Sequence, residues 1–417
     1  DRLAIARDTG AVQFNEYGAG TFSGTATYDL SVDVNGNIIE TTGGGAGGPF
    51  VPYMSGADQI ARTEGAATYN TSLGFQALQN LGAGVQNTII GALAGDALTA
   101  GSYNTALGYR ALSAEDGHGK NVAIGTLALA DLNAGADGFN VAIGYEAGVS
   151  VSTGSLNTIV GGLAGDALTT GSSNTAIGES SLSAETIGTY NVAIGREALR
   201  LSALSNKSIG IGYGTLYVQA NTPAAVDTYN VAIGHLAGSA VTTGIQNTLI
   251  GGLAGDALTT GGKNVAIGHG ALGTEDAHGN NVAIGYQALT TQDAGTDAYN
   301  VAIGFKAGEA VTTGTSNTLY GGQVGSALTD GANNVAIGRA ALGTAQSDSN
   351  NVAIGYSALG TQNGAGTAYN VAVGHAAGGA ITTGTNNTLI GGLAGDALTT
   401  GSNSVAIGKG ALSTEDT

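Results

Sequence analysis

Five histidines are the side chains whose ordinary pKa lies nearest neutrality, and their placement is regular. His118 and His278 each stand three residues before the asparagine of a short motif, Asn-Val-Ala-Ile-Gly. His235, His269 and His375 stand immediately after the glycine of that motif or of its variant. The column after the glycine also holds Phe75, Tyr109, Tyr145, Arg196, Tyr213, Tyr286, Phe305, Arg339, Tyr356 and Lys409. A metal site needs converging ligands supported by further partners. All five histidines are instead expected to be surface residues at tolerant positions, and the column after the glycine an exposed or half-exposed rib, with Tyr109, Tyr145, Tyr286 and Tyr356 as candidate surface contacts.

The carboxylates follow the same logic. Asp96, Asp166, Asp256 and Asp396 recur in Leu-Ala-Gly-Asp-Ala-Leu, as a row of calcium ligands would. They lie four or more motif copies apart and cannot share one ion within a chain, so turn-capping is the expected role. Calcium in the Glu115-Asp116 or Glu275-Asp276 loops is open chemically, and no metal or cofactor is assigned. Thiol catalysis is excluded by the absence of Cys. A glycoside hydrolase needs two carboxylates at fixed separation beside a groove. Here the acids fall in variable loops, and no Trp is present to stack on sugars. Gly210-Ile-Gly-Tyr-Gly lacks the strand-to-helix context of a nucleotide loop. Thr-Thr-Gly, at 169, 242, 259, 312, 382 and 399, occupies at most two adjacent copies at a time, too short a run for an ice-binding array. No catalytic residue is assigned, and the chain is not expected to be an enzyme.

What positions all these residues is the motif itself. Its first residue falls at 70, 87, 104, 121, 140, 157, 174, 191, 208, 230, 247, 264, 281, 300, 317, 334, 351, 370, 387 and 404. The usual step is 17 residues, with some of 19 and one of 22. The fifth position is always Gly, the second always Thr, Val or Ile, and the first Asn except at Ser208 and Ser404. Asn121, Val122, Ile124 and Gly125, with Asn281, Val282, Ile284 and Gly285 and with Asn351, Val352, Ile354 and Gly355, represent the structural repeat. A fixed period this short predicts an all-β, repetitive parallel β-roll or β-solenoid of about twenty coils over residues 70–417. At about 4.8 Å per rung it would be about 95 Å long.

Within a coil, the motif is expected to be a strand with its second and fourth residues on one face and its third on the other. Gly then permits a turn. The following Ala-Leu or Ala-Gly stretch is expected to be a second short strand. Asn is expected to bond neighbouring backbone groups or to stack as a ladder. A second apolar anchor comes at one of two places, at Leu in Ala271-Leu272 and Ala288-Leu289, or three residues after Ala-Gly, as at Val151, Leu168, Val241, Leu258, Ile381 and Leu398. Coils group in fours spanning 70 residues, except that 140–229 holds a fifth coil and a loop, Tyr217 to Asp227, expected to interrupt the surface of the stack.

Residues 1–45 read as a small β cap or connector. Two-residue alternation marks strands at Ala11–Asn15, Gly20–Tyr28 and Leu30–Val34, and Asn35-Gly36 marks a hairpin. Residues 46–69 read as linker and lead-in, with one helical turn near 57–62. Charge is −18, which disfavours nucleic acid and anionic membrane partners. No apolar run is long enough to cross a bilayer, so membrane insertion is not expected. Asp at residue 1, and an end at Ala411-Leu-Ser-Thr-Glu-Asp-Thr in mid-coil, lead us to expect a piece of a longer product.

The repeated Asn-Val-Ala-Ile-Gly with following Ala-Leu resembles the head of trimeric autotransporter adhesins, a left-handed parallel β-roll of three chains. It is more similar still to phage tail-fibre proteins, with their arrays of Asn-Thr-Ala-Ile-Gly-Tyr-x-Ala-Leu, and Gly20–Glu40 also looks like segments of such proteins. The adhesin's neck, stalk and anchor, and the self-cleaving chaperone domain of the fibres, have no counterpart in this sequence. The resemblance implies an intertwined or side-by-side homotrimer in a structural fibre of a virion tail. It also implies contact with other tail or fibre proteins, and with a cell-surface receptor or glycan at grafted loops. A bacterial surface adhesin head is the alternative, and a polysaccharide depolymerase a distant third. The small third position fits close approach of another surface. Either strand face could meet the axis.

Overall fold

The computed structural model describes residues 69–219, 226–364 and 366–413, together with the backbone of short strands at 4–5, 12–13, 28–32, 38–42 and 60–61. The chain divides into two compact units, Asp1–Tyr53 and Met54–Thr417. In the first, Tyr28–Val32 pairs antiparallel with Ile38–Thr42 across the expected Asn-Gly hairpin, and Ala4–Ile5 pairs with Val12–Gln13. The strand expected before Tyr28, and most of the linker, lie outside the described residues.

The second unit is a parallel β-solenoid. Each motif copy supplies one three-residue strand, from Thr71–Leu73 to Val405–Ile407, twenty in all. Each pairs with the copies before and after it, so the ladder is linear and encloses about nineteen turns. Register is position on position: Val122 opposes Val141, Ala123 opposes Ala142 and Ile124 opposes Ile143 across a 19-residue step. The extra residues of long steps therefore go into loops. The expected surface interruption near 217–229 leaves the ladder intact, since Ile209 pairs directly with Val231. Its added length contributes a small parallel pair, Ser205–Asn206 with Val226–Asp227. A strand at Ile60–Ala61, antiparallel to the first rung, stands where a helical turn was expected.

Three features explain why this sequence coils. Asn is buried in nearly every copy and forms the expected ladder. Asn247 Oδ1 accepts the backbone N–H of Asn264 at 2.9 Å, and its Nδ2 donates to the Gly261 carbonyl at 2.9 Å. One side chain thus satisfies groups at both ends of its coil. Where Ser208 cannot reach, buried Gln219 bridges Ser208 Oγ and Asn230 Nδ2. The motif glycine comes next. Gly285 has φ of +136°, and a Cβ there would overlap the Gly304 carbonyl, 2.6 Å from its carbon. Backbone conformation and coil spacing both demand Gly.

The third feature corrects an expectation. Ala-Leu after the motif is no strand but a run of turns with residues of positive φ, as at Leu127 (61°) and Leu129 (49°). Adjacent residues of a strand face opposite sides, yet Ala128 and Leu129 are both fully buried. Only a backbone coiling between them can turn both inward. The run is still tied to both neighbouring coils, through Leu127 N–H to Tyr109 O and Leu129 N–H to Ala147 O.

The two coil types fill one core. In Ala-Gly coils the space of the leucine is taken from neighbouring positions: a Cβ on Gly148 would lie 2.9 Å from Ile159 Cδ1 and 3.2 Å from both Leu129 Cδ2 and Val151 Cγ2. This accounts for Ile or Leu at the third motif position of Ile89, Ile159, Leu249, Leu319 and Leu389, all fully buried. The small third residue elsewhere (Ala123, Ala283, Ala353) is likewise inside its own coil. It does not present a surface for another chain to approach.

Candidate interaction surface and the buried carboxylates

With the third residue inside, the second and fourth residues of every rung point outward. Val122 and Ile124, Val282 and Ile284, and Val352 and Ile354 are half-buried, covered only by their copies above and below. Others are barer, such as Leu107 at 46% and Ile143 at 38% exposure. The β-branched residues stand here because they suit an extended backbone and pack rung on rung. Two ribs result, about 7 Å apart and about 90 Å long, an area of roughly 600 Å²: the fourth position is aliphatic in every copy but Tyr320, and the second is Val or Ile in twelve copies and Thr in eight. The largest apolar patch on an ordinary monomer is roughly 300–600 Å².

Beside the ribs runs the column after the motif glycine, exposed as expected. Tyr286 stacks between His269 and Phe305, with ring centroids at 5.7 and 5.5 Å, and Tyr356 stacks on His375 at 5.3 Å. Tyr109 and Tyr145 lie in the same column, both exposed. The Glu146 carboxylate beside the Tyr145 hydroxyl raises its pKa by hydrogen bonding. A further aromatic column escaped the sequence reading: Tyr69, Tyr103, Phe139, Tyr190, Tyr229, Tyr299 and Tyr369 all precede the motif residue, all exposed and all at positive φ. The signal was present, since an aromatic stands immediately before the motif in seven of the twenty copies.

Threonines of the Thr-Thr-Gly loops are engaged along the stack. Thr169, Thr242 and Thr382 hydroxyls donate to the carbonyls of Thr186, Thr259 and Thr399 in the next coil. Among the recurrent aspartates, Asp166 and Asp256 have pKa values raised by burial. One carboxylate oxygen in each of Asp96, Asp166 and Asp396 is buried without a partner, so capping of the turn is incomplete.

The loop acids hold the main departure from the sequence reading. The twelfth position of a coil is a core column, occupied by Val151, Leu168, Val241 and Leu258. Glu115, Glu185 and Glu275 occupy that same column and are completely buried. Glu185 is well supplied with donors: the N–H groups of Thr186, Gly188, Leu204 and Ser205 at 2.8–3.0 Å, and Ser202 Oγ at 3.4 Å. Glu115 accepts His118 N–H at 3.0 Å and Ala134 N–H at 3.5 Å. Glu275 accepts only His278 N–H, at 3.1 Å on Oε1, while Oε2 has no partner. Burial pushes its pKa up. The two histidines expected to be indifferent surface residues are half-buried, with Nδ1 3.6 Å and 3.4 Å from Glu115 and Glu275. Asp348, in the position of these histidines in its own coil, is also buried and accepts Gly364 N–H at 3.0 Å.

Fold and surface define a repetitive parallel β-solenoid with one outer face rich in aliphatic and threonine side chains. No protein-family model matches the chain, and no match is found among curated proteins or among solved structures.

Proposed function

We propose that residues 70–417 are the shaft of a structural fibre in a phage tail or virion, built from three copies of this chain packed along their aliphatic ribs. The observation that carries this reading is the outward face of the rungs. The fourth position there is aliphatic in every copy but Tyr320 and the second is Val or Ile in twelve of twenty, and burying a face of roughly 600 Å² per chain at ~25 cal/mol/Å² is a gain of at most about 15 kcal/mol before association costs. The role is mechanical. Interlocked Asn and backbone bonds stiffen each chain, and association covers the one face that water disfavours. A shaft of this kind spaces or supports contact with a host surface, with other fibre proteins at its ends and a receptor or glycan at its loops. The reading has no place for catalysis.

The test is mass in solution by light scattering. A mass three times 40.4 kDa is expected for the whole chain, falling toward 40.4 kDa when Ile284 and Ile354 are both changed to Asp. A monomer of the unchanged chain would overturn the assembly. Neighbouring genes decide the setting: tail and baseplate genes support the fibre, whereas a secreted β-barrel anchor would replace it with a surface adhesin.

A further inference from the structure

Among the described residues, Glu275 is the carboxylate of the core column with an unsatisfied oxygen. The contrast with Glu185, at the same position of an equivalent coil, gives the reason. There the next coil turns Ser202 Oγ and Ser205 N–H onto the carboxylate. Here the next coil has Gln292 in place of Ser202, and its amide is committed elsewhere, Nε2 to Thr312 O and Oε1 to Asn300 Nδ2. Nothing replaces the lost donors. Instead the next coil brings a second carboxylate, Asp293, and the loop adds Asp276 and His278. His278 Nδ1 is itself buried without a hydrogen-bond partner.

A buried carboxylate with one oxygen unpartnered, clustered with an imidazole and two further carboxylates, calls for a positive charge among them. We propose that Glu275, His278, Asp293 and Asp276 bind a divalent transition-metal cation of the zinc class. Their ligand atoms all lie within 4.8 Å of one another. Two donors of a tetrahedral ion, at ~2.1 Å each, are about 3.4 Å apart, so side-chain turns that bring the ligand atoms closer by about 1 Å complete the site. Mixed nitrogen and oxygen ligation favours this class, whereas calcium takes oxygen alone. Glu275 and His278 belong to one coil and Asp293 to the next, so the ion ties two coils together where the 19-residue step lengthens the loop. The related cluster of Glu115, Asp116 and His118 lacks the fourth ligand, because Asn133 stands in the place of Asp293 and Glu115 already has donors on both oxygens.

The whole chain, stripped with chelator and free of any tag, is titrated with Zn²⁺ by calorimetry and with Co²⁺ by visible absorption. The expected result is one more bound ion per chain in the unchanged protein than in Glu275→Gln or His278→Ala. Asp293→Asn should weaken that ion at least tenfold, and His235→Ala should leave it unchanged. The intensified visible bands of Co²⁺ in a nitrogen- and oxygen-ligated site should disappear in His278→Ala. Zn²⁺ should raise the melting temperature of the unchanged chain and not that of His278→Ala, a readout that also reports whether the variant folds. Equal stoichiometry and equal thermal shifts in the unchanged chain and the variants would overturn the site. Calcium binding indifferent to His278→Ala would overturn the imidazole's part in it.

Discussion

The asparagine ladder makes a quantitative claim that the molecule itself controls. Asn247 makes two buried bonds, one at Oδ1 from Asn264 N–H and one from Nδ2 to Gly261 O. Asn281 occupies the same column but opens a 19-residue step. The carbonyl fourteen residues on, the usual acceptor of Nδ2, belongs to Gly295 in the lengthened loop, and Asn281 Nδ2 is buried without a partner. Its Oδ1 still accepts Asn300 N–H, at 3.1 Å. Replacing Asn247 by Ala strands one donor and one acceptor, at about 1–3 kcal/mol each. Replacing Asn281 by Ala strands one donor and removes an amide that was already half unsatisfied. We expect Asn247→Ala to cost about 2–6 kcal/mol and Asn281→Ala about 1–2 kcal/mol. Solenoid arrays unfold by segments, so a single global melt blurs the difference. Hydrogen exchange followed by mass spectrometry, in peptides covering the rungs at 248–250 and 282–284, reports it coil by coil. Equal losses of protection at the two sites, or none at either, would refute the role given to the ladder.

Two further outcomes are expected. Gly285→Ala combines a forbidden φ with overlap on the Gly304 carbonyl, whereas Gly295→Ala, at φ +65° with open space around it, carries only the left-handed cost of about 1 kcal/mol; hydrogen exchange in peptides covering each site should show a large loss of protection for the first and little for the second. For the metal-free protein, the raised pKa of Glu275 means that the stability tied to its protonated form is fully present below the ordinary carboxyl range, near 4.5, and is lost as pH rises through the folded value. Glu275→Gln should remove that loss and be the more stable protein at neutral pH, so a variant less stable than the unchanged chain at pH 7 would contradict the account.

Repetition made the ladder legible. Twenty copies fixed Asn, Gly and the strand between them, because each column could be compared with itself. What followed the motif was harder, since Ala128-Leu129 looks like any short apolar stretch. Leucine has little intrinsic taste for positive φ, and it is held there because Ala and Leu must both face inward. Which face of the rung looks outward also depended on that turn. Glu275 was misplaced for a different reason. Acidic residues in the variable stretch before the next Asn read as loop, although counting from the preceding Asn puts Glu115, Glu185 and Glu275 in the column of Val151 and Leu168. Position in the repeat outweighed residue type, and the carboxylate went where the column goes.

The position-on-position register has one more consequence. Ile194, Ile211 and Ile233 succeed one another across a 17-residue and a 22-residue step as evenly as any other three rungs. The segment 140–229 thus accommodates five coils where its neighbours have four. Since each coil meets only the one above and the one below, a duplicated block slots in without asking any distant residue to change. Four added rungs lengthen the rod by about 19 Å. Reach becomes a matter of copy number, which recombination between near-identical segments can alter in whole steps, leaving the chemistry of every coil as it was.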